Sequence, residues 1–267
     1  MNSSGRIIAL TSRSVIEVTG PDWRAFLQGL LTQDVEALAP GHARFAALLT
    51  PQGRLLYDLF VIGREDGALL DVAAEHRDAI LSRLLMYRLR AKVEVKASDL
   101  RVFAALDGAD AELSVADPRL PELGRRLYAA DIPGADAEAE DAYDAHRLAL
   151  GAPGPADWGY DKTYPIEADF DLLGGIDFKK GCFVGQETTS RMKRRGSIKS
   201  RMLPIEFDGP APPKGAEILA GTLRAGEVLS GRDGRAMALL RLDRIQGADL
   251  TVDGRPVRVS PPKWFAQ

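Results

Sequence analysis

A chain of 267 residues is long enough to bury a large core, as one domain or as a larger and a smaller one. Its 45% hydrophobic and 27% charged residues suit a soluble globular protein, and a net charge of −3 excludes one that coats nucleic acid through overall charge. No apolar stretch approaches the ~18 residues of a membrane helix, and residues 1–14 lack an apolar core of signal-peptide length. The single cysteine, Cys182, excludes an intramolecular disulfide framework and fits a reducing compartment; with only three histidines in the chain, a classical all-protein zinc site is not expected. These features predict a cytoplasmic protein without a membrane partner or a stably bound metal of its own.

Residues 7–10 and 15–18 read as short strands. Thr19-Gly20-Pro21-Asp22 then has the hydroxyl and following acid of a helix start, and Phe26, Leu27, Leu30 and Leu31 recur at helical spacing. Two β-rich runs, 43–49 and 54–62, flank Thr50-Pro51-Gln52-Gly53, whose Pro and Gly suit a tight hairpin turn. Residues 75–90 place Ile80, Leu81, Leu84, Leu85 and Leu89 on one face of a second helix, and strand character returns at 92–96 and 101–106.

Residues 107–140, rich in Asp, Ala, Pro and Gly, predict short elements with loops. A helix over 139–150 should stop at Gly151, followed by a glycine- and proline-rich loop to 164. From 202 onward, short β runs at 202–207, 216–219, 226–229, 236–242, 250–252 and 256–259 argue for a small antiparallel barrel or sandwich. The expected domains are 1–200 and 201–267, with the boundary near 199–203.

The most informative stretch is Asp177-Phe178-Lys179-Lys180-Gly181-Cys182-Phe183-Val184-Gly185-Gln186-Glu187. Two lysines before a lone thiol favour its thiolate, and flanking glycines let a backbone or ligand come close. Spacing alone leaves nucleophile, metal ligand and redox sensor open. A dense basic run follows in Arg191, Lys193, Arg194, Arg195, Lys199 and Arg201. It reads as a solvated face, as an anchor for an anionic ligand, or as a contact to RNA phosphates. RNA binding would add aromatics for base stacking, which the run lacks, so direct nucleic-acid binding is not expected. His42, His76 and His146 have no metal-like spacing. Trp158 and Tyr160 either cover a flat ligand or pin their loop to the core.

Lys180-Gly181-Cys182-Phe183-Val184-Gly185-Gln186-Glu187 closely resembles the K-G-C-[FY]-x-G-Q-E signature of the YgfZ family, relatives of the glycine-cleavage T-protein. Gly20-Pro21-Asp22 with Phe26-Leu27-Gln28-Gly29, the 50–58 hairpin and Pro165-Ile166-Glu167-Ala168 are similar to the same superfamily, and the hairpin is closest to its mitochondrial iron–sulfur assembly members. The resemblance implies an α+β protein, a T-protein-like folate-binding domain followed by a small C-terminal antiparallel β-barrel. It implies an accessory factor for assembly or repair of iron–sulfur clusters, of the four-iron type, without independent turnover. An effect on tRNA modification would then be indirect.

On that resemblance, tetrahydrofolate occupies a central pocket, with Asp58, Tyr57, Lys180, Gln186, Glu187 and Arg191 as its binding residues. Cys182 acts at the rim, as a redox-active thiol or a transient iron or cluster ligand; an iron–sulfur assembly or carrier protein supplies the remaining ligands. Two departures from the T-protein stand out. Its pair of adjacent acids is here Tyr57-Asp58. The acid that grips the pterin in its R-L-E-A-G pattern is replaced by Ala149 in Arg147-Leu148-Ala149-Leu150-Gly151, which would leave pterin donors unpaired at roughly 1–3 kcal/mol each. The rivals are a folate-dependent aminomethyltransferase or demethylase, and a tRNA-binding modification factor using the basic run.

Overall fold

The structure, a computed structural model, describes residues 6–196 and 198–265; the outermost residues of both expected domains, 1–5 and 266–267, lie outside that range. The first part of the chain runs β1 (Ile7–Ala9), β2 (Arg13–Thr19), α1 (Trp23–Gln28), β3 (Ala43–Leu49), β4 (Leu55–Gly63), β5 (Gly67–Ala73) and α2 (Arg77–Arg88). It continues through β6 (Glu94–Ser98), β7 (Arg101–Ala105), β8 (Ser114–Ala116), β9 (Arg125–Ala129), α3 (Glu140–Ala149) and α4 (Gln186–Arg195). The last part holds β10 (Ser200–Glu206), β11 (Glu217–Ala220), β12 (Leu223–Arg232), β13 (Arg235–Arg241), α5 (Leu242–Ile245), β14 (Leu250–Val252) and β15 (Arg255–Val259).

The strands form a five-stranded sheet in the order β3-β4-β5-β2-β6 and a four-stranded sheet in the order β1-β7-β9-β8. A closed antiparallel barrel follows, β10-β13-β12-β11-β14-β15. Closure leaves the barrel without a free edge, which settles barrel against sandwich.

Every residue of β4 and β5 is buried, because the five-stranded sheet is covered on both faces. Side chains alternate across the strand. Tyr57, Leu59 and Val61 therefore join Leu70 and Val72 beneath α1 and α2. Phe60 and Ile62 pack on the other face with residues of the second sheet and with Met202 and Met237 of the barrel strands.

Strand β5 was not expected from the sequence. Gly67–Ala73 reads as a short apolar run without the alternation of a half-exposed strand, since neither of its faces meets water. The expected cap of α1 is also corrected. Thr19 stays in β2, paired between Gly67 and Glu94, and the Asp22 carboxylate accepts the Lys92 N–H at 2.7 Å instead of capping its helix. On α2 only Ile80 and Leu84 are buried, while Leu85 and Leu89 stand exposed. α3 does end before a left-handed Gly151, at φ +72°. Trp158 packs edge-on to Phe170 in the core, with ring centroids 5.4 Å apart, and Tyr160 is exposed beside Tyr57.

Candidate functional site

The two sheets, α3 and the barrel enclose a cavity of about 460 Å³. Strand β4 presents Asp58 and Phe60 to it, the first residue of β2 contributes Arg13, and β9 contributes Arg126. Arg119, Arg126 and Arg13 stand over the Phe60 ring at 4.8, 4.0 and 5.4 Å from its centroid. Three guanidiniums on one ring require compensating anions, and three buried carboxylates supply them.

Asp71 accepts from Arg13 Nε at 2.7 Å, from Arg126 at 2.6 and 2.8 Å, and from the Tyr128 hydroxyl at 3.1 Å. Asp117 takes Arg119 in bidentate fashion at 2.8 and 3.0 Å. Asp58 Oδ2 accepts from Arg13 Nη1 at 2.9 Å, and Oδ1 takes no hydrogen bond from the described residues. Burial by itself would raise the Asp71 and Asp117 carboxyls, but adjacent guanidiniums outweigh it and hold both below their ordinary range. The floor thus sets three guanidiniums against three carboxylates, with one acceptor oxygen left over among the described residues.

At the mouth, α3 supplies Glu140, Asp141 and Asp144. Glu140 is consumed by the β1–β2 turn, whose Thr11 and Ser12 donate to it through N–H and hydroxyl groups at 2.5–3.1 Å. The barrel strand β12 contributes Arg232, whose Nη2 lies 3.1 Å from Asp141 and 3.6 Å from Asp144. Its Nε is buried without a hydrogen-bond partner among the described residues.

The structure separates the residues expected to share one pocket. Asp58 lines the cavity; Tyr57, one residue away, faces the opposite side of the sheet beside His76 and Tyr160. Burial and the Tyr160 hydroxyl push its phenol up to about 12. Lys180, Gln186, Glu187 and Arg191 do not line the cavity either, and neither does Cys182. Gln186 and Glu187 border a separate surface groove with Phe178 and Lys193. These placements correct the expected pocket, for the reason that strand alternation and the path of α4 direct these side chains elsewhere. Ala149 is corrected likewise: exposed at the end of α3, it does not line the cavity, and its methyl group withholds no acceptor there.

Cys182 is exposed on the loop before α4. Lys180 fixes that loop. Its Nζ donates to the carbonyls of Gln28, Leu31 and Gln33 at 2.8, 2.6 and 2.9 Å, occupying acceptors that the end of α1 leaves free. Burial lowers this ammonium to about 8. Its donors are thus spent on carbonyls, a different role from the thiolate activation expected of it.

Gly185, at φ +82°, meets Gly53, at φ +81°, where the hairpin turn touches the start of α4. A Cβ on Gly185 would lie 2.6 Å from the Thr50 oxygen, and one on Gly53 would lie 2.9 Å from the Gly185 oxygen. The close approach expected of the motif glycines therefore belongs to Gly185. Gly181 has open space around it.

The basic run after the motif is partly neutralised. Arg201 binds Asp171 at 2.5 and 3.0 Å and Asp169 at 3.0 Å, and Lys193 reaches Asp171 at 3.3 Å. Asp169 is wholly buried at φ +59°, with Oδ2 unpartnered among the described residues. Burial pushes its carboxyl well above the ordinary 3.8, in spite of Arg201. The folded chain then keeps a proton that the unfolded chain releases, so this group makes stability fall as pH rises from 3.8 through the folded pKa. Asp169→Asn, which keeps the shape of the neutral acid and tolerates the left-handed backbone, should remove that component. Urea unfolding at about pH 5 and pH 8 measures it; an unchanged pH slope in the variant would contradict the assignment.

Sequence reading missed Arg13, Asp71, Asp117, Arg119, Arg126 and Arg232. Asp71 carried a signal: a lone acid in an otherwise apolar run is either a break in the strand or a buried, paired charge. The arginines carried none, since their partners lie up to 91 positions away. Among the described residues, no three His, Cys, Asp or Glu side chains converge as metal ligands. No helix among them is long and apolar enough to cross a membrane.

Comparison with known proteins gives two family matches, the GCVT N-terminal domain over residues 2–117 and the CAF17 C-terminal beta-barrel domain over 199–267. The chain is 31% identical to the human mitochondrial iron–sulfur cluster assembly factor IBA57, over 89% of this chain and 78% of that protein. It is 30% identical to the mitochondrial IBA57 homolog of Neurospora crassa, over 96% of this chain and 66% of that one. For the Coccidioides immitis homolog the figures are 33%, 78% and 58%, so the chain spans less than two thirds of both fungal relatives. The glycine cleavage system aminomethyltransferase T from Bartonella henselae superposes with a TM-score of 0.73 over 98% of this chain and 86% of that one, at 17% identity. The T-protein-like α+β fold with its terminal barrel is thereby established. The expected cytoplasmic location is corrected, because these relatives are mitochondrial. A single cysteine fits any reducing compartment and does not separate one from another.

Proposed function

The chain belongs to the IBA57 family of iron–sulfur cluster assembly factors, and from that premise we propose that it serves cluster assembly or repair, on four-iron proteins, through the thiol of Cys182. The observation that carries this reading is the exposure of the sole thiol on a loop clamped by Lys180. Such clusters are typically held by four protein ligands, and this chain offers one cysteine. An assembly or carrier protein therefore supplies the rest, which makes the partner a physical requirement.

Tetrahydrofolate belongs to the same reading as the ligand of the central cavity. The residues present fit it: the volume suits a small molecule, and Asp58 Oδ1 is an open acceptor for the amino and ring N–H groups of a pterin. When bound, the cofactor supplies one-carbon chemistry. This chain's part is to orient the ring over that floor of guanidiniums and carboxylates. Lys180, Gln186, Glu187 and Arg191 then serve the Cys182 surface and its protein partner.

The test is aconitase activity in a strain lacking the protein, complemented at equal expression by wild type or by Cys182→Ser. Rescue by wild type alone is expected. Equal rescue by both would sink the thiol mechanism and keep the maturation role; no deficit in the deletion strain would sink both.

A second reading, a folate-dependent aminomethyltransferase or demethylase, is favoured by the T-protein fold and by Asp58 in the cavity. Against it, the adjacent position holds a tyrosine on the wrong face of the sheet, so one carboxylate stands where the T-protein has two. It predicts methylenetetrahydrofolate formation from an aminomethyl or N-methyl donor. The tRNA-binding reading loses Lys193 and Arg201 to Asp171 and finds no support elsewhere.

A further inference from the structure

We propose that Arg232, delivered to the cavity by the barrel strand β12, reads one carboxylate of the bound ligand, the glutamate tail of a folate if the folate reading above holds. The basic run after the Cys motif, one of whose readings was an anchor for an anionic ligand, does not line the cavity. Five arginines do, and four of them are already committed.

Arg13 spends Nε, Nη1 and Nη2 on Asp71, Asp58 and the Asp71 carbonyl. Arg126 and Arg119 are held by the buried Asp71 and Asp117. Arg147 binds the buried Asp157, Asp144 and the Ala152 carbonyl. A guanidinium gripped by a buried carboxylate has no vacant donor pair to offer a ligand.

Arg232 differs on both counts. Its carboxylate partners are solvent-accessible, with the Asp141 side chain 87% exposed, and such pairs exchange at little cost. Its Nε is buried and unpartnered among the described residues, a donor that burial penalises until an acceptor arrives. A ligand carboxylate that displaces Asp141 would meet Nε and Nη2 together, the bidentate geometry for which arginine is suited. Glu138, Asp141 and Asp144 at the same mouth oppose additional negative charge, so the site accommodates one carboxylate and gives a modest preference.

The experiment titrates the full-length protein calorimetrically with 5-formyltetrahydrofolate and with the dimethyl ester of its glutamate. Wild type is expected to bind the diacid about 10-fold tighter at low salt, with the preference shrinking as salt screens it. Arg232→Met should bind both ligands alike, at the affinity of wild type for the ester. Asp141→Asn, which frees Arg232 and removes one opposing charge, should bind the diacid several-fold tighter than wild type, and most of that gain should be lost in the Asp141→Asn/Arg232→Met double variant, where only the relief of like-charge repulsion remains. A preference that survives in Arg232→Met, or its absence in wild type that binds both ligands, overturns the assignment and leaves the folate reading standing. Failure of wild type to bind either ligand overturns both.

Discussion

Asp71→Ala is expected to lower the unfolding free energy by about 3–5 kcal/mol, the range for breaking a buried ion pair by removing one partner. Asp71 is fully buried and neutralises Arg13 and Arg126 at once, while accepting the Tyr128 hydroxyl. Without it, Arg13 keeps Asp58 as its one carboxylate beside the backbone carbonyl of residue 71, and Arg126 keeps Asp117 at 3.6 Å. The loss comes less from the vanished attraction than from two guanidiniums stranded in a site that excludes water. For a chain of this length the melting temperature should fall by about 10 °C.

The same network has a pH signature. Asp71 and Asp117 titrate below the ordinary 3.8 when folded, so their stabilisation is fully present above that value and is lost as pH falls through the folded pKa. Thermal unfolding at neutral pH, with a urea m-value to check that the transition remains two-state, measures the effect. A loss below about 1 kcal/mol would mean that water reaches the floor and that the charges are not mutually dependent.

Lys180→Met should remove most of the maturation activity with Cys182 still in place. The substitution keeps an apolar stem of similar length and deletes the ammonium that joins the carbonyls of Gln28, Leu31 and Gln33 to the Cys loop. Unmet acceptors cost about 1–3 kcal/mol each where water is excluded. Gln28 and Gln33 are only half-buried, so a global loss of about 2–3 kcal/mol is expected rather than the full sum.

The local effect should be larger than the global one. The loop that carries the thiol is released, and proteolysis between Asp177 and Gly185 should accelerate in the folded protein. Lys180→Arg, which retains the charge and several donors, should recover part of the activity. If Lys180→Met complements the deletion strain as wild type does, the clamp has no bearing on Cys182.

The amphipathic and turn signals were legible wherever one local interaction dominates. The hairpin at Thr50–Gly53 needs only Pro, Gly and two flanking β runs. The stop after α3 needs only a glycine at a left-handed position. The barrel strands announce themselves because each is short and closed by Gly, Pro or Asp. Strand β5 escaped notice because a strand buried on both faces has no alternation to read, and the cap of α1 failed because sheet pairing claimed Thr19 first.

For the site, sequence alone determined the chemistry available: a single thiol in an eight-residue pattern and a carboxylate at Asp58. It could not determine which of these share a space. Tyr57 and Asp58 are covalent neighbours on opposite faces of a sheet, whereas Asp71 and Arg126 are 55 positions apart and hydrogen-bonded at 2.6 Å. Tertiary structure alone decided that the cavity and the Cys182 loop are separate places, and that Lys180 serves the end of α1. It also decided that the cavity guanidinium whose Nε is unpartnered among the described residues comes from the barrel. The reason is physical: local conformation follows from neighbours along the chain, but a buried charge is stable only beside its counter-charge, and packing of distant elements chooses that partner.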